Sequence, residues 1–159
     1  MKIKKHFYSW HDVEKMCIQI VNQMYMDDWK PDYIVGITRG GNVPATIISN
    51  MTGIRCEALK VSLRDDDSDS ESNTWMAEDA IGYPGQDSGG QGKNILIVDD
   101  INDTGATFNW IKKDWPAGCL PDHEAWNHVW GNNVKFAVLT ENFASECNDV
   151  TYYCHEVNK

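Results

Sequence analysis

The segment Ile95-Leu96-Ile97-Val98-Asp99-Asp100-Ile101-Asn102-Asp103-Thr104-Gly105-Ala106-Thr107 holds the residues best suited to chemistry. An apolar run leads into two adjacent carboxylates, Asp99 and Asp100. Carboxylates at the end of a buried strand are costly to desolvate unless a cation or hydroxyl groups meet them. A short loop of small polar residues follows and ends at a helix start. Backbone N–H groups there, with the Thr104 and Thr107 hydroxyls, can form a nest for one terminal phosphate. Carboxylates for sugar hydroxyls or Mg²⁺ beside a phosphate cradle describe a site for a phosphorylated sugar. An ordinary strand-to-helix turn would not call for Asp99, Asp100 and Asp103 together.

The elements that must hold this segment follow from periodicity. Ser9 to Asp28 reads as a helix, because Val13, Met16, Cys17, Ile20, Val21 and Met24 form one apolar stripe. Ser9 with Asp12 supplies an N-terminal cap. Pro31 ends that helix, and Tyr33 to Ile37 is a strand of buried type. After the turn Thr38-Arg39-Gly40-Gly41-Asn42, a helix runs from Pro44 toward Gly53, a natural stop. Further strands are expected over Arg55 to Val61, Asn94 to Val98, Val134 to Thr140 and Val150 to Cys154, with a helix over Thr107 to Lys113. Strands that are continuous apolar runs, alternating with helices, predict a single α/β domain over 1–159. Its core would be a central, mostly parallel five-stranded sheet flanked by helices. Ligands of such sheets sit outside the carboxyl ends of the strands.

Two stretches fall outside this alternation. Residues 62–93 open on an acidic run from Asp65 to Glu71 and close on glycines. They are expected to form a long flexible lid loop whose carboxylates face solvent. A calcium loop is the alternative, but the run lacks the EF-hand spacing. Residues 115–131 carry Trp115, Trp126 and Trp130 with His123 and His128, and read as an insertion packing aromatics on the body. A metal site on the two histidines with Asp122 and Glu124 is the minority reading.

Composition narrows the function classes. The 159 residues carry 14 Lys plus Arg against 24 Asp plus Glu, a net charge of −10, which argues against binding a nucleic-acid backbone. No apolar run approaches the roughly 20 residues of a membrane span. The basic start Met1-Lys2-Ile3-Lys4-Lys5 lacks an apolar core behind it, so no secretory signal is expected. Five cysteines without a C-x-x-C pair suggest reduced thiols in a cytoplasmic protein.

Residues 95–107 resemble, over their whole length, the 5-phosphoribosyl-1-pyrophosphate (PRPP) signature of type I phosphoribosyltransferases. Ile37-Thr38-Arg39-Gly40-Gly41-Asn42-Val43-Pro44 resembles that family's pyrophosphate loop, and the order of elements is similar across residues 1–157. The chain looks most like the small bacterial xanthine-guanine branch. The resemblance implies that Asp99 and Asp100 hold the ribose 2′ and 3′ hydroxyls, one of them helped by Mg²⁺. It implies that Asp103, Thr104, Gly105, Ala106 and Thr107 bind the 5′-phosphate. Thr38, Arg39 and Gly40 would hold pyrophosphate, commonly through a cis peptide before the Arg39 position, and residues 62–93 would close over PRPP. The resemblance further implies that Asp at position 103 is the 6-oxopurine form of the loop. There it meets N7 of the base and does acid–base work, which favours guanine, hypoxanthine or xanthine. The branch usually reads the purine 6-oxo group with a Lys after the fourth strand. Asn142 stands there and is expected to bind the base through its uncharged amide. The branch also covers the base with an aromatic segment lying beyond Lys159. The implied protein is a Mg²⁺-dependent transferase using PRPP and a purine, with no nucleic-acid or membrane partner, assembled as a homo-dimer or tetramer. A PRPP- or nucleotide-binding regulator without turnover is the alternative.

Overall fold

The structure, a computed structural model, describes residues 9–61, 74–83 and 91–158. Five segments become the strands Tyr33–Thr38 (β1), Cys56–Lys60 (β2), Ile95–Asn102 (β3), Val134–Asn142 (β4) and Val150–Val157 (β5). They form one sheet in the order β2-β1-β3-β4-β5, and every neighbouring pair is parallel. Helices Trp10–Met26 (α1), Asn42–Thr52 (α2), Thr74–Ile81 (α3) and Ala106–Gly118 (α4) accompany them. No helix among the described residues is long and apolar enough to cross a membrane.

Successive side chains of each central strand enter two different cores, which is why the strands are apolar throughout. Tyr33, Val35, Ile37, Ile95, Ile97, Phe136 and Val138 face the layer that contains α3 and α4. Ile34, Leu96, Val98, Ala137 and Leu139 face α1 and α2. Gly36 lets α2 close on β1, since a Cβ there would lie 2.8 Å from the Ala45 Cβ. At the start of α1 the expected cap is a full capping box. The Asp12 N–H donates to Ser9 Oγ at 3.1 Å and the Ser9 N–H donates to Asp12 Oδ2 at 3.0 Å.

Three features differ from the sequence reading. First, β3 continues past Val98 to Asn102 and β4 past Thr140 to Asn142, so the acidic pair lies within a strand. Second, residues 62–93 are not one uninterrupted loop. The segments 62–73 and 84–90 lie outside the described residues, but between them α3 is packed in the core through Met76, Ala77 and Ala80. Polar contacts hold it as well. Buried Asp79 accepts the Tyr33 hydroxyl at 2.9 Å, and Asn133 Nδ2 donates to the Ala80 carbonyl at 2.7 Å. Burial, together with the Asp79 carboxylate, raises the Tyr33 phenol above its ordinary range. Third, residues 115–131 begin as the last turn of α4. Trp115, Trp126 and Trp130 then stack toward Phe136 of β4. The minority metal reading has no support here: His123 Nδ1 accepts the Ala125 N–H at 3.1 Å, capping the short 3₁₀ turn Glu124–His128.

Candidate active site

The chain leaves β1 toward β2 on one side and returns to β3 on the other. The crevice outside the carboxyl ends of β1 and β3 is therefore the topological switch point. Both segments singled out in the sequence arrive there. The turn after β1 folds tightly, with the Gly41 N–H donating to the Ile37 carbonyl at 2.8 Å. The Thr38–Arg39 peptide is cis. Asn42, which the sequence reading left without a role, donates from its amide to Thr38 Oγ1 at 3.2 Å. A Cβ on Gly40 would lie 2.5 Å from Asp100 Oδ2, so this turn lies against the acidic pair.

Asp99 is buried and Asp100 exposed. Asp99 Oδ1 accepts the Asp100 N–H at 2.8 Å, and Asp100 Oδ1 accepts the Ile101 N–H at 2.9 Å. Burial, compounded by the neighbouring Asp100 carboxylate, pushes the Asp99 carboxyl up to about 8. Among the described residues neither acid is in an ion pair. The strand end thus offers carboxyl oxygens, with Asp100 exposed to the crevice, to a cation or to hydroxyl donors.

Asp99 to Phe108 line a cavity of 180 Å³. Its floor is the start of α4, where Gly105 gives no side-chain cap and Thr104 Oγ1 accepts the Ala106 N–H at 3.2 Å. Gly105 is required twice over: its φ is +87°, and a Cβ would lie 2.5 Å from the Cys147 nitrogen. We expect Gly105→Ala to cost about 1–3 kcal/mol of stability. Calorimetry should show weaker binding of a sugar 5-phosphate to this variant, because the whole loop has to shift.

A second cavity of 360 Å³, lined by Tyr25, Trp29, Thr52 and Ile54 among others, lies at the amino ends of the strands. Ligands of parallel sheets bind at the other end, so the smaller pocket is the candidate site.

Comparisons with known proteins identify the family. Residues 4–117 match the family described as phosphoribosyl transferase domain. The chain belongs to this family. Hypoxanthine-guanine phosphoribosyltransferase of Schizosaccharomyces pombe is 29% identical over 124 residues, covering 68% of this chain and 58% of that protein. Xanthine phosphoribosyltransferase 1 of Saccharomyces cerevisiae is 26% identical over 121 residues, covering 67% and 58%. The match thus spans less than two thirds of either curated relative. A purine phosphoribosyltransferase from Pyrococcus horikoshii shares the fold, with a TM-score of 0.63 at 18% identity over 97% of this chain and 89% of that one.

Within this phosphoribosyltransferase fold, Thr38, Arg39, Gly40, Asp99, Asp100 and residues 103–107 gather at one sheet end. Asn142 is placed differently from expectation. It is buried, and its Nδ2 donates to the Asp103 carbonyl at 2.9 Å and to Asp103 Oδ1 at 3.0 Å, so its amide is turned onto the loop. The sequence reading also missed Asn102. Its buried Nδ2 donates to Glu141 Oε1 at 2.7 Å and Ser145 Oγ at 2.9 Å. Its only signal in the sequence was a polar side chain between two site acids.

Proposed function

We propose that this chain transfers the 5-phosphoribosyl group from PRPP to a 6-oxopurine, guanine, xanthine or hypoxanthine, releasing pyrophosphate. One observation carries the reading. At the switch point, a paired-carboxylate strand end lies between a phosphate-type helix start and a tight turn bearing Arg39. The names of the curated relatives support both the reaction and the class of base. They are named as transferases, which favours turnover over a purely regulatory role.

The residues divide the work. Thr104 to Thr107 would hold the 5′-phosphate with backbone N–H groups at the start of α4. Asp99 and Asp100 would take the ribose hydroxyls. As the bond from C1 to the pyrophosphate oxygen breaks, its electron pair leaves with pyrophosphate, whose charge Arg39 and the Thr38–Gly40 turn would neutralise. Purine N9 forms the new bond to C1, and the N7 proton passes to or is shared with the Asp103 carboxylate. Magnesium fits the chain's donor set. This ion is commonly held by one or two carboxylates plus substrate oxygens, and Asp99 and Asp100 supply such a pair. Among the described residues no cluster of three or more His, Cys, Asp or Glu side chains offers a cage of its own. When bound it would supply positive charge to the ribose and pyrophosphate oxygens.

The same reading places the protein in the cytoplasm, supported by five unpaired cysteines. It also makes the protein a homo-dimer or tetramer. The deciding experiment incubates the protein with PRPP, Mg²⁺ and, in turn, guanine, hypoxanthine, xanthine, adenine and orotate. Nucleotide and pyrophosphate are expected from the 6-oxopurines and should be lost on adding EDTA. No product from any base overturns the proposal.

A further inference from the structure

The sequence places Asn142 where a base reader would stand, yet its amide is engaged elsewhere, and the geometry leaves no ambiguity of orientation. Oδ1 accepts the Ala144 N–H at 3.1 Å, while Nδ2 faces the Asp103 carbonyl at 2.9 Å. Rotating the amide by half a turn would put oxygen against the carbonyl and N–H against N–H. Two backbone groups of opposite polarity therefore fix which end is which. The remaining donation goes to Asp103 Oδ1 at 3.0 Å.

A second amide makes the reverse contact. In the β3–β4 register Asn102 lies opposite Glu141. From β3 it donates to Glu141 Oε1, to Ser145 Oγ and, at 3.2 Å, to the Cys147 carbonyl. Asn142, from β4, donates back to the loop that follows β3. The turn after β4 closes the clasp, because the Glu146 N–H donates to the Thr104 carbonyl at 2.9 Å. Asn102, Glu141, Asn142 and Ser145 are all buried, whereas Asp103 is exposed at the cavity. Buried polar groups joined in this way are costly to break and hold a single arrangement.

We propose that Asn142 is a positioning residue that acts through Asp103 and does not read the purine. It fixes the Asp103 backbone and donates to Oδ1, so that, among the described residues, Oδ2 is the carboxylate oxygen turned to meet the base. Selection of the 6-oxo group must then come from groups other than the Asn142 amide. The proposal rests on the transferase reading for its kinetic consequence but not for its geometry.

The test is a double-mutant cycle with a measurement that needs no turnover. Outer-shell partners of this kind are typically worth about 10–100-fold, so Asn142→Ala should lower kcat by that factor. The factor should be the same for guanine, hypoxanthine and xanthine, with KM for PRPP changed by less than about threefold. In an Asp103→Asn background the further loss caused by Asn142→Ala should shrink below about threefold, because contacting residues are not additive. A base-selective rise in purine KM that persists in that background would show a base reader and overturn the proposal. Unchanged kinetics in Asn142→Ala would overturn it as well. Independently, ¹⁵N NMR of the wild-type protein should show Asn142 side-chain amide protons protected from exchange, with protection reduced in Asp103→Ala. Unprotected protons overturn the clasp. Asn142→Ser, which keeps a short polar group in the pocket, guards against a folding failure of the Ala variant: it should fold and lose kcat as well. If the wild type turns over no base, the function proposal fails. Asp103-dependent protection of the Asn142 amide would still uphold the clasp.

Discussion

Asp100→Asn should lower nucleotide formation by about two to four orders of magnitude while leaving the melting temperature almost unchanged. The asymmetry follows from the contacts of the side chain. Asp100 is exposed, and its Oδ1 accepts the Ile101 N–H, a bond that an Asn oxygen can also accept. What the substitution removes is the negative charge offered to ribose hydroxyls and to a divalent ion. Removing one charge of an adjacent pair also relieves the repulsion that helps keep Asp99 protonated, so any change in stability should be small or upward. Steady-state product formation beside a thermal melt checks both halves. A large drop in melting temperature with turnover preserved would make the pair structural and remove the basis of the site.

That site was legible because its chemistry is local. Asp99 through Thr107 are contiguous, and the Thr38–Gly41 turn follows a strand that the apolar run Tyr33–Ile37 announces. Where the reading stopped short, polar residues were doing buried work. Asn102, Glu141 and Asn142 look like loop residues, so apolar periodicity ends β3 at Val98 and β4 at Thr140. Each is buried, and its polar atoms find partners across the two strands. A pattern search for apolar periodicity cannot see a strand end satisfied by hydrogen bonds. Burial also raises the Glu141 carboxyl from its ordinary range, opposed by the Asn102 amide, a partnership visible only once β3 and β4 are in register. α3 was missed for a different reason. Its eight residues are too few for a clear stripe, and what holds it is remote in sequence: Tyr33, Lys93 and Asn133. Asn142 shows the limit of reading by position. Its position beside the Asp103 loop follows from the strand order, but its role depends on which way an amide faces.

The second large effect concerns the scaffold, and it should leave the chemistry nearly intact. Phe136→Ala is expected to destabilise the fold by about 3–5 kcal/mol, a large share of the 5–15 kcal/mol typical of a domain. Phe136 is fully buried in β4. Its ring lies 4.3 Å from that of Phe108 and 5.9 Å from that of Trp130, nearly parallel to both. Trp130 in turn contacts Trp115 and Trp126, so one ring of the sheet anchors the whole aromatic stretch from 115 to 131. Phe108 also lines the phosphate-type cavity, two residues into α4 from Ala106. The substitution can therefore reach the site through Phe108, and through Ile97 beside it in the β3–β4 register. Removing a ring from a close-packed core leaves a cavity that its neighbours fill only in part. Urea unfolding should therefore show a lower midpoint with an unchanged slope, and the near-ultraviolet signal of the tryptophans should weaken in the folded state. Turnover measured well below the melting temperature should fall by less than about tenfold, since Asp99 and Asp100 keep their backbone partners and Asp103 keeps the Asn142 amide. A stability loss below about 1 kcal/mol would mean that the tryptophan stretch is a surface appendage and not part of the core that fixes α4 beneath the phosphate loop.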